Sequence, residues 1–308
     1  MIRIYHFFRL IRFLNLLVIG LTMVLVQYFV KQQVDSETSA EVFVPTFNLL
    51  VLSTILIAAA GNIINDYFDV KADRINKPSR LIIGPYIKRR WAMVWHWSFN
   101  LLGFLLSLYI GYIVENIWVP ISAFSSINLL WFYSTYYKRR PFSGNLIVAF
   151  LLGAVPFYVL ILNYTSETHL FESYNIAIFI VSLLALLMNL IRELIKDIMD
   201  IRGDLRLGAK TFPIQYGIRK TKYLIGLISI FLFGLIGFYY YFVAASDDLN
   251  TNQMVMQSLF MPTLIITSLI MAVVLFIISK NNKKKFYKLA SNMIKVTILF
   301  GLLTLLFI

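Results

Sequence analysis

Residues 43–78 read FVPTFNLLVLSTILIAAAGNIINDYFDVKADRINKP. The first part of this stretch is an apolar run, and acidic residues follow where the run ends. A run of about 20 apolar residues crosses a bilayer as a helix, because only a helix satisfies its own backbone hydrogen bonds inside lipid. The stretch therefore predicts a membrane span whose helix continues into water and carries carboxylates there.

The composition of the whole chain extends this pattern. Of its 308 residues, 59% are hydrophobic and 14% are charged, whereas a soluble domain carries about 25% charged residues. We therefore predict an all-α, polytopic membrane protein that forms a single domain over residues 1–308. Nine transmembrane helices are expected, near residues 11–30, 43–63, 92–113, 118–137, 145–163, 174–192, 222–245, 255–279 and 289–308.

The basic residues indicate how these helices are oriented. With nine spans, every Lys and Arg except Lys31 falls on one side of the membrane, Lys295 included. Cytoplasmic loops carry such an excess of positive charge, so we expect a cytoplasmic N-terminus, an external C-terminus and insertion in the inner cell membrane. The formal charge of +13 then reflects topology and predicts no nucleic-acid partner. The Lys283–Lys285 run is interpreted in the same way, as a topology anchor.

The acids on the predicted cytoplasmic side form two clusters with matching spacing. Helical residues that are four, three and four positions apart share one face, so each cluster forms a stripe. Like charges one turn apart repel, so a positive partner must neutralise each stripe. The stripes contain Asn62, Asp66, Asp69 and Asp73 in the first cluster, and Glu193, Asp197, Asp200 and Asp204 in the second.

These oxygen ligands indicate a hard cation. The chain has no cysteine and three histidines, and carboxylate and amide oxygens select Mg²⁺, which prefers a few carboxylates together with phosphate oxygens. Basic residues supply the further countercharge that a diphosphate leaving group needs, so the sequence predicts an Mg²⁺-dependent prenyl-diphosphate transferase. The basic residues are Lys77, Arg80, Lys138, Arg139, Arg192, Lys196 and Lys210.

The motifs resemble those of the UbiA-type intramembrane prenyltransferases. The first cluster is similar to the family's Asn-Asp-x-x-Asp-x-x-x-Asp motif, and Tyr133-Ser134, Lys138 and Gly144-Asn145 look like its motif after the fourth span. The resemblance implies nine helices around a central cavity, where two Mg²⁺ ions join a prenyl diphosphate to both acidic motifs. It implies metal binding by Asn65, Asp66, Asp69, Asp73, Asp197, Asp200 and Asp204. It implies diphosphate binding by Asn65, Lys77, Lys138, Arg192, Lys196 and Lys210, and catalytic roles for Asp69, Asp73, Asp197, Lys138 and Tyr133.

Within this superfamily, the second cluster is most similar to the branch that transfers a geranylgeranyl group to geranylgeranylglyceryl phosphate. This stretch lacks the Tyr-Ala and Asp-Asp that the 4-hydroxybenzoate branch has there, but the chlorophyll and homogentisate branches share the Gly203-Asp204 ending. Two departures leave the roles of Arg12 and Arg80 open, because Phe13 and Leu81 stand where the family often has proline. We expect a membrane-associated acceptor within the lipid bilayer and no protein partner; an aromatic acceptor in quinone biosynthesis is the alternative.

Two other membrane functions fit the sequence less well. A secondary transporter places ionisable residues or broken helices near the bilayer midplane, and we expect no charge near the middle of any span. A CDP-alcohol phosphotransferase also uses Asp residues and Mg²⁺ at the membrane surface, but its Asp-Gly…Ala-Arg pattern is missing. Both classes are therefore disfavoured relative to a prenyltransferase.

Overall fold

The computed structural model describes residues 2–33, 40–76, 78–163, 173–244 and 251–303. Within these ranges the chain is helical, and extended structure is limited to an isolated bridge between Ile83 and Ile87. The all-α expectation is confirmed. The helices are α1 (Ile2–Leu10), α2 (Phe13–Gln33), α3 (Ala40–Asn76), α4 (Arg89–Ile113), α5 (Trp118–Thr135), α6 (Ser143–Asn163), α7 (Ser173–Arg206), α8 (Phe212–Ala244), α9 (Thr251–Lys280) and α10 (Lys284–Leu303).

Among the described residues, seven helices are long and apolar enough to cross a membrane, and they lie in α2, α3, α4, α6, α7, α8 and α10. The other two predicted spans correspond to α5, which is 18 residues long, and to the shorter apolar helix Ile265–Lys280 within α9. The polytopic membrane architecture is thus supported, and the exact number of nine spans stays a prediction.

Helix α7 lies at the centre of the bundle. In its apolar stretch, 72% of the residues are buried, against 28–44% in the other six apolar helices. It packs on α6, α8 and α10 and also touches α2 and α3, whereas α3 packs mainly on α4 and α5. Gly153 of α6 permits the close approach to α7, because a Cβ there would lie 2.9 Å from the Ser182 carbonyl oxygen. The interior helix therefore contacts both halves of the chain.

Both helices with acidic clusters are much longer than a membrane span. Helix α3 has 37 residues and α7 has 34, which correspond to about 55 and 51 Å against a hydrocarbon core of about 30 Å. The predicted continuation of the second span as a helix is confirmed. Helix α7 ends where Gly208 adopts a φ of +69° and the Ala209 N–H donates to the Asp204 carbonyl at 3.0 Å, a helix end that favours glycine.

The position of Lys295 differs from the expectation. Helix α10 begins at Lys284, so Lys295 lies about 16 Å along its axis, near the middle of the apolar segment. The prediction that the spans carry no charge near their middle is therefore wrong at this residue. The physical reason is that α10 starts five residues earlier than expected, which places Lys295 farther from the start of its helix.

Candidate active site

The C-terminal ends of α3 and α7 face one another across a central cavity of about 730 Å³. All seven predicted metal-binding residues line this cavity, with both acidic stripes on its wall. The sequence places these stripes more than a hundred residues apart, and the fold brings them to one place. The same cavity is lined by Tyr133, Lys138, Arg192 and Lys196, as the resemblance implies.

Asn76 joins the two acidic helices directly. Its Nδ2 donates to the Asp200 carbonyl at 3.1 Å, and its Oδ1 accepts from the Gly203 N–H at 2.9 Å. A Cβ on Gly203 would lie only 2.3 Å from the Asn76 Nδ2, so this close approach requires a glycine. Asn76, which follows the first acidic motif on α3, therefore fixes the end of this helix to the second acidic motif.

Protein cations neutralise the first acidic motif. The Arg12 guanidinium donates to the Asp66 carboxylate at 2.6 Å, and the Lys138 ammonium contacts the Asp69 carboxylate and the Asn65 Oδ1, the latter at 2.7 Å. Asn65 also donates to Asp69 at 3.1 Å. These contacts supply the countercharge that the crowded stripe requires.

The charge of the stripe is reflected in the pKa values of its two cations. The Asp66 carboxylate raises the pKa of Arg12 above its ordinary value, although burial opposes the shift. Burial alone would lower the pKa of Lys138, but the charge of Asp69 and the hydrogen bond to it outweigh burial, so the pKa is raised. Both side chains are thus held in their charged forms at neutral pH. Arg12, whose role the sequence left open, is a partner of the first motif.

The second motif is held differently. The Asn145 amide donates to the Asp197 carboxylate at 2.8 Å, so a neutral group orients this acid. Lys196 and Arg192 both contact Glu193, the latter at 3.3 Å, and Glu193 is buried. Glu193 therefore serves as a counter-ion for two of the predicted diphosphate-binding cations. The sequence indicated Asn145 only through its resemblance to a family motif. In the structure its side chain orients Asp197.

Two predicted diphosphate-binding residues stand apart from this set. Lys210 is exposed and is absent from the cavity wall, although its neighbours Ala209 and Thr211 line it. The backbone N–H of Lys210 donates instead to the Arg139 carbonyl at 2.8 Å. Lys77 lies outside the described residues. Sequence reasoning also missed Arg9 and Lys295, which line the cavity from α1 and α10.

The cavity changes in character with depth. Charged residues form its mouth, at the C-terminal ends of α3 and α7, and apolar side chains of α3, α5 and α6 form its inner wall. Along α5 this wall extends from Leu130 to Val119, which is about 16 Å. Deep in the cavity the polar groups pair with each other, as in the 2.6 Å contact between the Ser126 and Tyr158 hydroxyls. An amphipathic ligand with a charged head and a long apolar chain fits this gradient.

The donor set at the mouth fits Mg²⁺. It consists of carboxylate and amide oxygens, which are the ligands of hard cations. Among the described residues, however, no three acidic or histidine side chains converge on one point as a ready metal cage. Mg²⁺ binds to one or two carboxylates together with substrate phosphates and seldom to all-protein cages. The arrangement therefore suits a metal ion that enters with a diphosphate.

Comparisons with known proteins agree with this geometry. A sequence model of the UbiA prenyltransferase family matches residues 21–293. A digeranylgeranylglyceryl phosphate synthase from Methanobrevibacter smithii is 38% identical over 190 residues, which cover 59% of this chain and 62% of that protein. A digeranylgeranylglyceryl phosphate synthase from Methanosarcina mazei is 33% identical over 235 residues, or 73% of this chain and 77% of that protein. The chain thus spans about three fifths of the first relative's length.

Solved structures share the fold over nearly the whole chain. A structure of digeranylgeranylglyceryl phosphate synthase in membranes has a TM-score of 0.69 at 24% identity and covers 99% of this chain and 98% of that one. A UbiA homologue from Archaeoglobus fulgidus bound to DMAPP and Mg²⁺ has a TM-score of 0.59 at 16% identity and covers 97% of this chain and 98% of that one. At these identities the similarity shows the fold.

The contacts of Lys138 generate a prediction about stability. Replacement of Lys138 by Met leaves Asp69 without its ammonium partner, so thermal stability without metal should fall, by about 1–3 kcal/mol. Mg²⁺ alone should restore part of this loss in the variant and change the parent little, because Lys138 already neutralises Asp69 there. The measurement is the melting temperature of the purified protein with and without Mg²⁺. The matched control is Arg140→Met, since Arg140 is exposed and contacts Tyr136; equal stability of Lys138→Met and the parent without metal would contradict the prediction.

Proposed function

Because this chain belongs to the UbiA prenyltransferase family, we propose that it is a membrane-embedded prenyltransferase that uses Mg²⁺ and a prenyl diphosphate. The observation that carries the proposal is the meeting of two acidic stripes at the mouth of a cavity with an apolar interior. In the reaction, the bond between the first prenyl carbon and the diphosphate oxygen breaks. A bond from that carbon to an acceptor oxygen forms, and diphosphate and a proton are released.

Each acidic stripe would bind its own metal ion at the cavity mouth. Asn65, Asp66, Asp69 and Asp73 would hold one metal ion, and Asp197, Asp200 and Asp204 would hold another. Bound Mg²⁺ would neutralise the diphosphate and make it a better leaving group. The fold family includes a homologue that binds DMAPP and Mg²⁺, which supports this assignment.

The basic residues bind and orient the diphosphate. Lys138 and Arg192 line the mouth beside the first and second motifs, and the N–H groups of both cations can donate charge-assisted hydrogen bonds to phosphate oxygens. When the diphosphate enters, these cations exchange a carboxylate partner for a phosphate partner. Asp69, which Lys138 releases, then faces the incoming metal, and Glu193, which Arg192 releases, keeps Lys196 as its partner. The protein therefore keeps its charge balanced before and after substrate binding.

The inner cavity protects the reacting carbon. Its apolar wall keeps water away from the prenyl chain. Water would otherwise capture an allylic cation. Tyr133 lies at the boundary between the mouth and the interior, where the Lys138 ammonium is 5.7 Å from its ring centroid. The same ring face is suited to a prenyl cation once Lys138 turns to the diphosphate. The length of the apolar wall favours a long donor such as geranylgeranyl diphosphate.

The first test concerns the acidic stripes. Asp69→Asn and Asp197→Asn should each lower the transfer rate about 100- to 1,000-fold, because a preorganised electrostatic contact to the leaving group is lost. EDTA should abolish transfer and Mg²⁺ should restore it. Asp197→Asn should keep the parent's thermal stability without ligand, because a neutral amide holds Asp197. Asp69→Asn should lose some stability, because Lys138 loses its ion-pair partner. Both variants should lose the stabilisation that Mg²⁺ with prenyl diphosphate confers.

The matched control for this test is Glu115→Gln, since Glu115 is exposed at the other end of α4; it should be near neutral. Labelled donors of several chain lengths are offered with a glycerol-phosphate lipid and with aromatic acceptors. Parental turnover by both Asp variants, or full activity in EDTA, would refute the proposed reaction. Transfer to an aromatic acceptor alone would support the alternative in quinone biosynthesis.

The second test concerns orientation, for which we propose that the cavity mouth is cytoplasmic. The positive-inside rule supports this orientation. The chain has no cysteine, so Ser79→Cys introduces a single thiol at an exposed position next to the mouth. An impermeant thiol reagent should label it only from the cytoplasmic side, and Glu115→Cys only from outside. The reverse pattern would overturn the orientation while leaving the chemistry intact.

The third test concerns the acceptor, which we propose to be a membrane lipid with a phosphate, such as geranylgeranylglyceryl phosphate. Lys295 supports this choice, because an intramembrane cation that lines a cavity marks a substrate path, and it is both exposed and part of the cavity wall. Lys295 lies on α10, which contacts α2, so we propose that the lipid enters beside these two helices. A phosphate on the incoming lipid would meet Lys295 there.

Lys295→Met should therefore raise the KM for the phosphate acceptor roughly 10- to 100-fold, the value of a charge-assisted hydrogen bond. The KM for the prenyl diphosphate should stay within about twofold. Lys288→Met is the matched control, because Lys288 lies two turns earlier on α10 and outside the cavity wall. Steady-state kinetics with both substrates varied gives the answer, and an unchanged acceptor KM would refute this role of Lys295.

A further inference from the structure

A second cavity lies on the opposite face of the helix that carries the second acidic motif. It has a volume of about 990 Å³ and is bordered by the end of α7, the start of α10 and Ile218 of α8. On α7, Asp197, Asp200 and Asp204 point to the central cavity, whereas Arg202 and Arg206 line the second one. We call this second cavity the basic groove. The mechanism proposed above makes no use of it.

Four cations surround the basic groove, namely Arg202, Arg206, Lys283 and Lys284, and no acidic residue is among the described residues that line it. The positive-inside rule explains why these cations lie on one side of the membrane. It does not explain why residues from two helices that are distant in sequence converge on one concave surface. The Lys283–Lys285 run, interpreted from the sequence as a topology anchor, thus contributes to a shaped cationic site.

The floor of the groove is apolar. Ile198 is buried there, whereas Leu205 is 56% exposed and Ile75 is 37% exposed. Exposed apolar side chains directly beside four cations do not suit a soluble anion, which would leave them in contact with water. They suit a ligand that has an anionic head and an apolar chain. An anionic membrane lipid has this structure.

The rim of the groove is held in place before any ligand binds. The Lys222 ammonium donates to the Asn281 carbonyl and to the Asn282 Oδ1, both at 3.0 Å. These bonds fix the turn that leads into Lys283 and Lys284. Tyr287, which is buried below the turn, lines the groove and lies within 3.4 Å of the Asn282 Oδ1 through its hydroxyl. A preorganised rim reduces the entropy that is lost when a ligand binds.

From these observations we propose that the basic groove binds the phosphate headgroup of an anionic membrane lipid, with the start of the lipid chain on its apolar floor. Asn76 lines both cavities and bonds to the α7 backbone at Asp200 and Gly203. A lipid in the groove therefore supports the helical turn that presents the second acidic motif. This site does not depend on the proposed function, because its ligand and its test involve no transfer reaction.

The test uses the purified full-length chain in phosphatidylcholine nanodiscs with increasing fractions of phosphatidylglycerol. The melting temperature should rise saturably with phosphatidylglycerol, since a ligand that binds the folded state stabilises it, and native mass spectrometry should detect a retained phosphatidylglycerol molecule. In the double variant Arg206→Gln/Lys284→Gln the affinity should fall roughly 10- to 100-fold. Soluble glycerol 3-phosphate should give no comparable rise.

The matched control is Lys88→Gln/Arg90→Gln, which removes two exposed cations from the start of α4, outside the groove. It should respond to phosphatidylglycerol like the parent. If both double variants lose the response equally, general surface charge explains it and the groove site is refuted. Saturable stabilisation by glycerol 3-phosphate equal to that by the lipid would also refute the proposal, because the ligand would then be a soluble phosphate.

Discussion

The arrangement depends on the need to balance negative charge at the cavity mouth. Carboxylates one helical turn apart, separated by about 6 Å, repel by about 3 kcal/mol at an effective dielectric constant of 20, and the two stripes face the same space. Two ion pairs reduce this repulsion, one between Arg12 and Asp66 and one between Lys138 and Asp69. These cations come from the α1–α2 junction and from the turn after α5, so two connections between helices are tied to the first motif. A ligand that brings its own metal ions and phosphates can replace these partners. The carboxylates then have positive partners both without and with the ligand.

The proposed reaction also requires a fixed separation of the two motifs, since a diphosphate would reach both only if their helices do not slide. Asn76 provides this link through two hydrogen bonds to α7, and Gly203 leaves room for it. In the middle of the bundle, Gly153 lets α6 pack closely on α7, and Asn145 on the same α6 orients Asp197. One helix thus sets both the packing of α7 and the direction of its acid. Small residues and amides, which carry no charge themselves, position the charged groups.

The sequence predicted the acidic stripes because a helix places residues four, three and four positions apart on one face, whatever the tertiary contacts. It could not predict the partner of Asp66, since Arg12 is 54 residues away and reaches it from a residue with a φ of +55° between two helices. Lys210 has the right charge and lies near the motif, but it follows Gly208, whose φ of +69° turns the chain and leaves Lys210 exposed. Lys295 was misplaced because the apolar pattern does not fix where α10 begins. Positions set by helical periodicity could therefore be predicted from the sequence, whereas positions set by turns or helix ends could not.

Helix α7 shows why fold and function cannot be separated in this protein. Along its apolar part it forms the buried centre of the bundle, and near its C-terminal end it has an acidic face and an opposite basic face. Because successive residues are rotated by about 100°, one position of slippage would move aspartates towards the basic groove and arginines towards the diphosphate. The bonds of Asn76 to its backbone resist such a shift without using either face. Because Asn76 contacts the backbone, it occupies none of the α7 side chains that line the two cavities.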